Sequence, residues 1–472
     1  MTREITVKKQ VISWVVSILV GLVIMLFPVS ETFTPEIRMY LAITIGTVLL
    51  IILDVLPKMF IAIMLPTLYT VTNLAPMATS FAAYAAANLW MVLGALFLGK
   101  IMEDTGVLNR ICYRLIIVMG GAFSGAVFGA FVATLVINWV TFGAGWVVAL
   151  PVVLGLIKAM DLKPGKESAL ICFAGCAGAI DSGVAWFIPQ NKVMYDSFVQ
   201  LVEPEYGGVQ FFTPIAYNWF TYVACVLCIV VLLWLYKRDG KKNGSQTVVA
   251  GGTKEHFQTL LDQMGKMSTD EIKALVLFVI ILAGCIASTW TGLNSTYLFM
   301  IVPYLSFLPV IGFNKVAKES LRNLNFDGIF FAVSCLAIGN VGNLVGFNTW
   351  FVGLVTPMLS GKGLLFACLV MFAIIMIGNF ALTPGALLAS FGSPFVSIAD
   401  LMGMAPVASL FLLNYAGNAI FLPHEITGYL ILFGMGYWPM KDFVKGQAIK
   451  SVVYLVGFIC IMFPLWKIMG LV

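Results

Sequence analysis

Charge is scarce in this chain. Asp, Glu, Lys and Arg make up only 10% of its 472 residues, and only two histidines accompany them. A soluble domain carries roughly 25% charged residues, so this sequence cannot cover a water-facing surface in the ordinary way. The shortage also excludes most chemistry. No nucleophile–base pair and no midplane cluster of His, Asp or Glu is visible, so an embedded enzyme is not expected. The long apolar runs lack the central Lys and Glu that a respiratory proton pump would need. Although the net charge is +5, the basic residues are not gathered on one face, and nucleic acid is not an expected partner.

Hydrophilic runs are equally rare. The one sizeable example is 237–270, whose Gly/Ser/Lys-rich start reads as a flexible cytoplasmic linker. After Thr253 the pattern fits an amphipathic helix on the cytoplasmic face. Nine cysteines are present, almost all inside apolar runs, where free Cys packs as a small hydrophobe. Cys225 and Cys228 have CxxC spacing, but neither a second pair nor a nearby His completes a metal site.

What remains is apolar: 61% of residues are hydrophobic and the mean hydropathy is +0.99. Runs of 18 or more apolar residues recur, each long enough to cross a bilayer core of about 30 Å. The expected fold is an all-α polytopic membrane protein with eleven spans, at 11–28, 36–54, 58–76, 84–104, 167–200, 211–236, 271–291, 295–313, 326–347, 403–436 and 447–469. The first run has no small-residue cleavage site and reads as a span rather than a signal. Two further stretches, 122–160 and 363–399, are too long for one crossing and are interrupted near the middle by polar residues and glycine. Each predicts a re-entrant hairpin, since unwound backbone at that depth must be surrounded by protein or line a cavity.

The Lys/Arg distribution predicts an internal N-terminus and an external C-terminus in an inner (plasma) membrane. With that orientation Arg110, Lys315, Lys441 and Lys450 fall among the cytoplasmic connections, and Lys192 falls outside.

The second half echoes the first. Gly99 to Gly106 has a counterpart at Gly339 to Gly346; Asn138 (VINWVTFGAGW) corresponds to Asn379 (MIGNFALTPGA); CAGAIDSGVAWFIPQN corresponds to LNYAGNAIFLPHE. This predicts an N-terminal helix (1–35), a first inverted repeat (36–236, with hairpin 122–160), the linker 237–270 and a second repeat (271–472, with hairpin 363–399). Inverted repeats with broken helices at matching positions point to a transporter's midplane site.

Helix N-termini suit an anion, and carbonyls freed by the breaks, with Asn and Ser/Thr oxygens, suit a cation. The candidates for substrate are Asn138, Thr141, Asn379, Thr383, Asn418 and Asn191. Those for a cation are Asp181, Ser182, Gly183, Asn138, Asn379, Ala416 and Gly417. The tip asparagines also suit simple helix capping, and the two roles are compatible. Asp181, a carboxylate in an apolar span, fits cation binding, proton carriage or capping of the second half-helix. His424 and Glu425 are placed either to titrate during transport or to face the cytoplasmic mouth.

These landmarks resemble the divalent anion:sodium symporters of the ion-transporter superfamily over about residues 36–470. That family has eleven spans, two re-entrant hairpins with Ser-Asn-Thr tips, and two unwound loops rich in Thr, Pro, Gly and Asn. Here the tips read Ile137-Asn138-Trp139 and Gly378-Asn379-Phe380, keeping the Asn and replacing its neighbours. Asp181-Ser182-Gly183 and Pro189-Gln190-Asn191 stand where the family has its first loop; Ala416-Gly417-Asn418-Ala419-Ile420 matches the second well. Gly434-Met435-Gly436-Tyr437 and Lys441-Asp442-Phe443 are also similar. The resemblance implies a secondary transporter of a small divalent anion, a di- or tricarboxylate or a sulfate-like ion. It also implies sodium or proton coupling, no cofactor, a homodimer surrounded by membrane lipid, and an elevator movement of a transport domain against a scaffold. Within the same superfamily, a cation/proton antiporter, an oxyanion exporter or a sodium-independent anion exchanger is the alternative.

Overall fold

A computed structural model describes residues 7–52, 58–119, 123–143, 145–243, 253–291, 294–309, 312–324, 326–359, 361–380 and 382–472. Among the described residues there are helices and no strand. Among the described residues, five helical stretches are long and apolar enough to cross a membrane: Phe123–Val140, Lys166–Val199, Phe220–Arg238, Thr269–Thr291 and Met440–Ile468. The chain is thus an all-α protein of the polytopic membrane class, with further, shorter apolar helices between these five.

One order of elements occurs twice. A long helix (Ala87–Asp104; Phe326–Leu344) turns into a shorter one (Val107–Met119; Phe347–Leu359). The turn residue in each case is a glycine at positive φ, Gly106 at 83° and Gly346 at 80°, a conformation that a Cβ disfavours. A helical hairpin follows (Phe123–Val140 with Trp146–Ala159; Leu364–Gly378 with Pro384–Leu401). Next comes a broken helix (Lys166–Ala179 and Pro189–Val199; Pro406–Ala416 and Thr427–Gly434), and then a long helix (Phe220–Asn243; Met440–Gly457). The last of these continues through a π-helical turn, Phe458–Met462, into Phe463–Ile468.

The two short helices Val107–Met119 and Phe347–Leu359 lie in stretches read from sequence as connections. The first carries Asn109, Arg110 and Arg114, which interrupt its apolar signal. The second ends around Pro357. The helix expected after Thr253 is present as Thr253–Gln263, with Phe257 buried and in ring contact with Tyr113 at 5.5 Å. The linker residues 244–252 lie outside the described residues.

The halves are interleaved. Lys58–Val71 packs on the second half's Phe326–Leu344, while Ser295–Ile301 packs on the first half's Ala87–Asp104. The latter approach is close: a Cβ at Gly94 would lie 1.8 Å from the Phe299 carbonyl oxygen. Arg110 does not sit at a water-facing connection. It is buried, forming a paired-nitrogen bridge to Glu271 (2.6 and 3.1 Å) and donating to the Gly265 carbonyl at 2.9 Å. Such a pair is stable inside protein only when its remaining donors are also satisfied. The carbonyls at the end of Thr253–Gln263 do that here.

Candidate functional site

Both hairpin tips place an asparagine against the break of their own half. Asn138 lies in the last turn of Phe123–Val140, and its Nδ2 donates to Ser182 Oγ in the first break at 3.1 Å. Asn379 ends Leu364–Gly378, and its Nδ2 donates to the Gly417 carbonyl at 3.1 Å and the Ala419 carbonyl at 3.5 Å. All three side chains, Asn138, Ser182 and Asn379, are buried. Gly183 belongs to the same cluster, since a Cβ there would meet Asn138 Nδ2 at 3.4 Å. Gly417, with Ala416 before it, closes the last turn of Pro406–Ala416 against Pro384 of the second hairpin.

The correspondence extends one residue further. Trp139, next to Asn138, stacks on Trp186 with centroids 5.1 Å apart. Phe380, next to Asn379, stacks on Phe421 at 5.8 Å and almost parallel. Trp186 is four residues beyond Ser182, and Phe421 is four residues beyond Gly417. Each aromatic pair therefore bolts a tip to its break, contributing about 0.5–1.5 kcal/mol beyond burial. The first pair is also hydrogen-bonded: Trp186 Nε1 donates to the Trp139 carbonyl (3.1 Å) and Trp139 Nε1 to Tyr222 Oη (3.2 Å).

The hydroxyl candidates have local tasks. Thr141 Oγ1 donates back to the Ile137 carbonyl at 2.7 Å, and Thr383 is the N-cap of Pro384–Leu401, accepting from Ala386 N at 3.4 Å. Thr141 Oγ1 also reaches the Asn138 carbonyl at 3.5 Å, and none of these bonds engages the side chain of a tip asparagine. Asn418 donates to the Asn414 carbonyl at 3.1 Å, and Asn414 in turn lines a cleft with Asn191, Lys192 and Tyr195 below the first break. Asn191 and Asn418 are thus connected through Asn414, a residue that the sequence reading did not single out; its signal is the four-residue spacing to Asn418 in an apolar helix.

Asp181 already has a cation. Its two carboxylate oxygens each accept from Lys450 Nζ at 3.1 Å, and Oδ2 also accepts from Tyr429 Oη at 2.7 Å. Lys450 Nζ donates further to Tyr429 Oη at 3.1 Å. Asp181 and Lys450 are 0% and 1% exposed, so no water screens the pair. Lys450 therefore does not belong with the cytoplasmic connections; it is inside Met440–Gly457. The neighbouring Ser451 donates to the Ile420 carbonyl of the second break at 3.3 Å. One helix thus holds both breaks, Lys450 the first and Ser451 the second. A lysine and a tyrosine in apolar surroundings, Lys450 and Tyr429, were the sequence signal for this cluster. Lys192 is ion-paired with Asp196, whose Oδ1 accepts from Val209 N at 2.7 Å.

Glu425 is buried, and its Oε1 accepts from Phe421 N (3.1 Å) and Leu422 N (2.7 Å). It satisfies backbone donors that the second break leaves without helical partners. The side chain of His424 lies outside the described residues.

What this arrangement offers chemically differs between the halves. The first break has a neutralised carboxylate and a satisfied Asn–Ser bond. In the second, Asn379 Oδ1 is buried with no hydrogen-bond partner, while its Nδ2 holds the carbonyls of Gly417 and Ala419. An acceptor in that position is suited to a cation or a donor. Among the described residues no group of three or more His, Cys, Asp or Glu side chains is placed to hold a metal.

Residues 8–472 match the family described as the sodium:sulfate symporter transmembrane region. The chain is 23% identical over 483 residues to dicarboxylate transporter 1, chloroplastic, of Spinacia oleracea, covering 96% of this chain and 81% of that one. It is 19% identical over 488 residues to the putative malate transporter YflS of Bacillus subtilis, covering 98% and 97%. Among solved structures, MtrF of Neisseria gonorrhoeae, one of a class of antimetabolite efflux pumps, shares the fold at a TM-score of 0.54 and 15% identity, over 97% of this chain and 94% of that one.

Proposed function

This chain belongs to the sodium:sulfate symporter family, and from that premise we propose that it is a secondary transporter of small dicarboxylates. The observation that carries the proposal is the matched pair of tip asparagines, each hydrogen-bonded to its own break and flanked by a stacked aromatic pair. The substrate class follows from the relatives, which are named for dicarboxylate and malate transport.

In this reading the substrate lies between the tips. Each carboxylate accepts from an asparagine amide that exchanges its bond to the break for one to the substrate. The helices that restart after the breaks, Pro189–Val199 and Thr427–Gly434, would offer the partial positive charge of their N-termini to an anion held there. Trp139 and Phe380 stand where the resembling symporters carry a Thr, so the walls beside the amides are apolar here. A coupling cation would bind at the second tip, against Asn379 Oδ1, the buried acceptor that has no partner there. The cation is sodium in this proposal, and protons are the alternative. The cycle is an elevator movement in a homodimer embedded in lipid, in a plasma membrane with the N-terminus inside.

Uptake of labelled succinate, malate, citrate and sulfate into liposomes containing the purified protein tests this reading. At least one divalent anion is carried. Hydrogen bonds to charged groups contribute about 1.5–3 kcal/mol, so Asn138→Ala and Asn379→Ala each lower transport by roughly 10- to 100-fold. Undiminished transport by both variants removes the site assignment, and no transport of any of the four removes the function.

A further inference from the structure

We propose that the Lys450 ammonium is a tethered cation occupying the cation position of the first half, so that a mobile coupling cation binds only at the second break. The inference rests on the reading of the tips as the transport site. It deepens that reading by assigning the two halves different electrostatic roles.

Three observations carry it. First, Lys450 Nζ sits in an oxygen cage made by Asp181 Oδ1, Asp181 Oδ2 and Tyr429 Oη, all at 3.1 Å. A cage of that composition, a carboxylate and a hydroxyl next to Ser182 at the tip contact, is what a small monovalent cation would require. Here it is full. Second, the charge cannot leave. Lys450 is fixed by its own side chain to Met440–Gly457, and Ser451 fastens that helix to the Ile420 carbonyl of the second break. An ion couples transport to a gradient only if it binds on one side and departs on the other; an ammonium on a buried side chain stays. Third, no such ammonium is bonded to Asn379 at the second tip among the described residues, and Asn379 Oδ1 is buried and unpartnered there. The Lys450 ammonium balances the Asp181 carboxylate, so the first break is kept neutral without a stoichiometric ion from solution.

Removing the ammonium leaves Asp181 as a buried carboxylate without compensation, which must recruit a cation from solution or destabilise the fold. The test is thermal unfolding of the purified full-length protein in detergent, titrated with sodium chloride against choline chloride. Any sodium-specific stabilisation of the wild type is removed by Asn379→Ala and unchanged in the doubly neutral Asp181→Asn/Lys450→Met variant. Lys450→Ala gains a sodium-specific rise in melting temperature beyond the wild type, and its sodium dependence becomes steeper. A folded Lys450→Ala protein with the wild-type sodium response overturns the proposal. So does loss of the wild-type sodium response in the doubly neutral variant. If Lys450→Ala does not fold, the doubly neutral variant decides alone. Failure of the wild type to carry any dicarboxylate would overturn the functional reading instead, and it is seen in a separate uptake assay.

Discussion

A single methyl group separates tolerated from intolerable at the crossing of the two halves. At Gly94 a Cβ would meet the Phe299 carbonyl oxygen at 1.8 Å, and backbone cannot step aside as a flexible side chain can. At Gly385, in the first turn of Pro384–Leu401, nothing lies within 4 Å. Gly94→Ala is therefore expected to cost at least the 1–3 kcal/mol typical of overpacking and to lower the melting temperature and yield of monodisperse protein on size-exclusion. Gly385→Ala is expected to leave both unchanged. Equal behaviour of the two variants would contradict the packing described here. At this scale the sequence was legible only where a residue's chemistry is local. Asn138 and Asn379 stand out in the sequence because an amide in an apolar run is conspicuous. The partner of Asp181 was not, because Lys450 is 269 positions away and a lysine near a span's end reads as a snorkelling, membrane-orienting charge. The burial of Arg110 was hidden for the same reason, since its partner Glu271 is 161 positions away.

Among the elements, the two breaks decide the architecture, and each must satisfy backbone groups that a continuous helix would have paired. In the second break Glu425 does so for Phe421 and Leu422. An unsatisfied buried donor costs about 1–3 kcal/mol. Glu425→Ala is thus expected to lower thermal stability and slow transport by letting the break lose its shape. Glu425→Gln, which keeps an accepting oxygen, is expected to fall between Ala and wild type. Identical unfolding curves for all three proteins would rule out this capping role. The hairpins and broken helices were legible because glycine and polar residues interrupt runs too long for one crossing. The helices Val107–Met119 and Phe347–Leu359 were not, because each is short and has its apolar signal interrupted, the first by two arginines and the second by Pro357. Their matched positions after Gly106 and Gly346 mark them as a pair.

For the whole molecule, the two halves share one plan and differ in one respect. Element order, turn glycines, tip asparagines and aromatic pairs recur in both. The charge beside the tips does not recur: the first break carries a closed Asp181–Lys450 pair and the second an open amide oxygen. Under the proposed function, the two similar arms would hold the anion and the second break alone would take the coupling ion. The repeated plan was legible in the sequence, since landmarks spaced 32 and 33 residues apart recur in order. The asymmetry was not, because it depends on which side chains the fold brings to each break.

The most direct test of the central claim is an experimental structure of the protein with succinate bound. The account predicts one dicarboxylate between the two hairpins, with one carboxylate within hydrogen-bond distance of the Asn138 amide and the other within reach of the Asn379 amide. Succinate bound at a place remote from both asparagines, with their bonds to Ser182 and Gly417 intact, would contradict it.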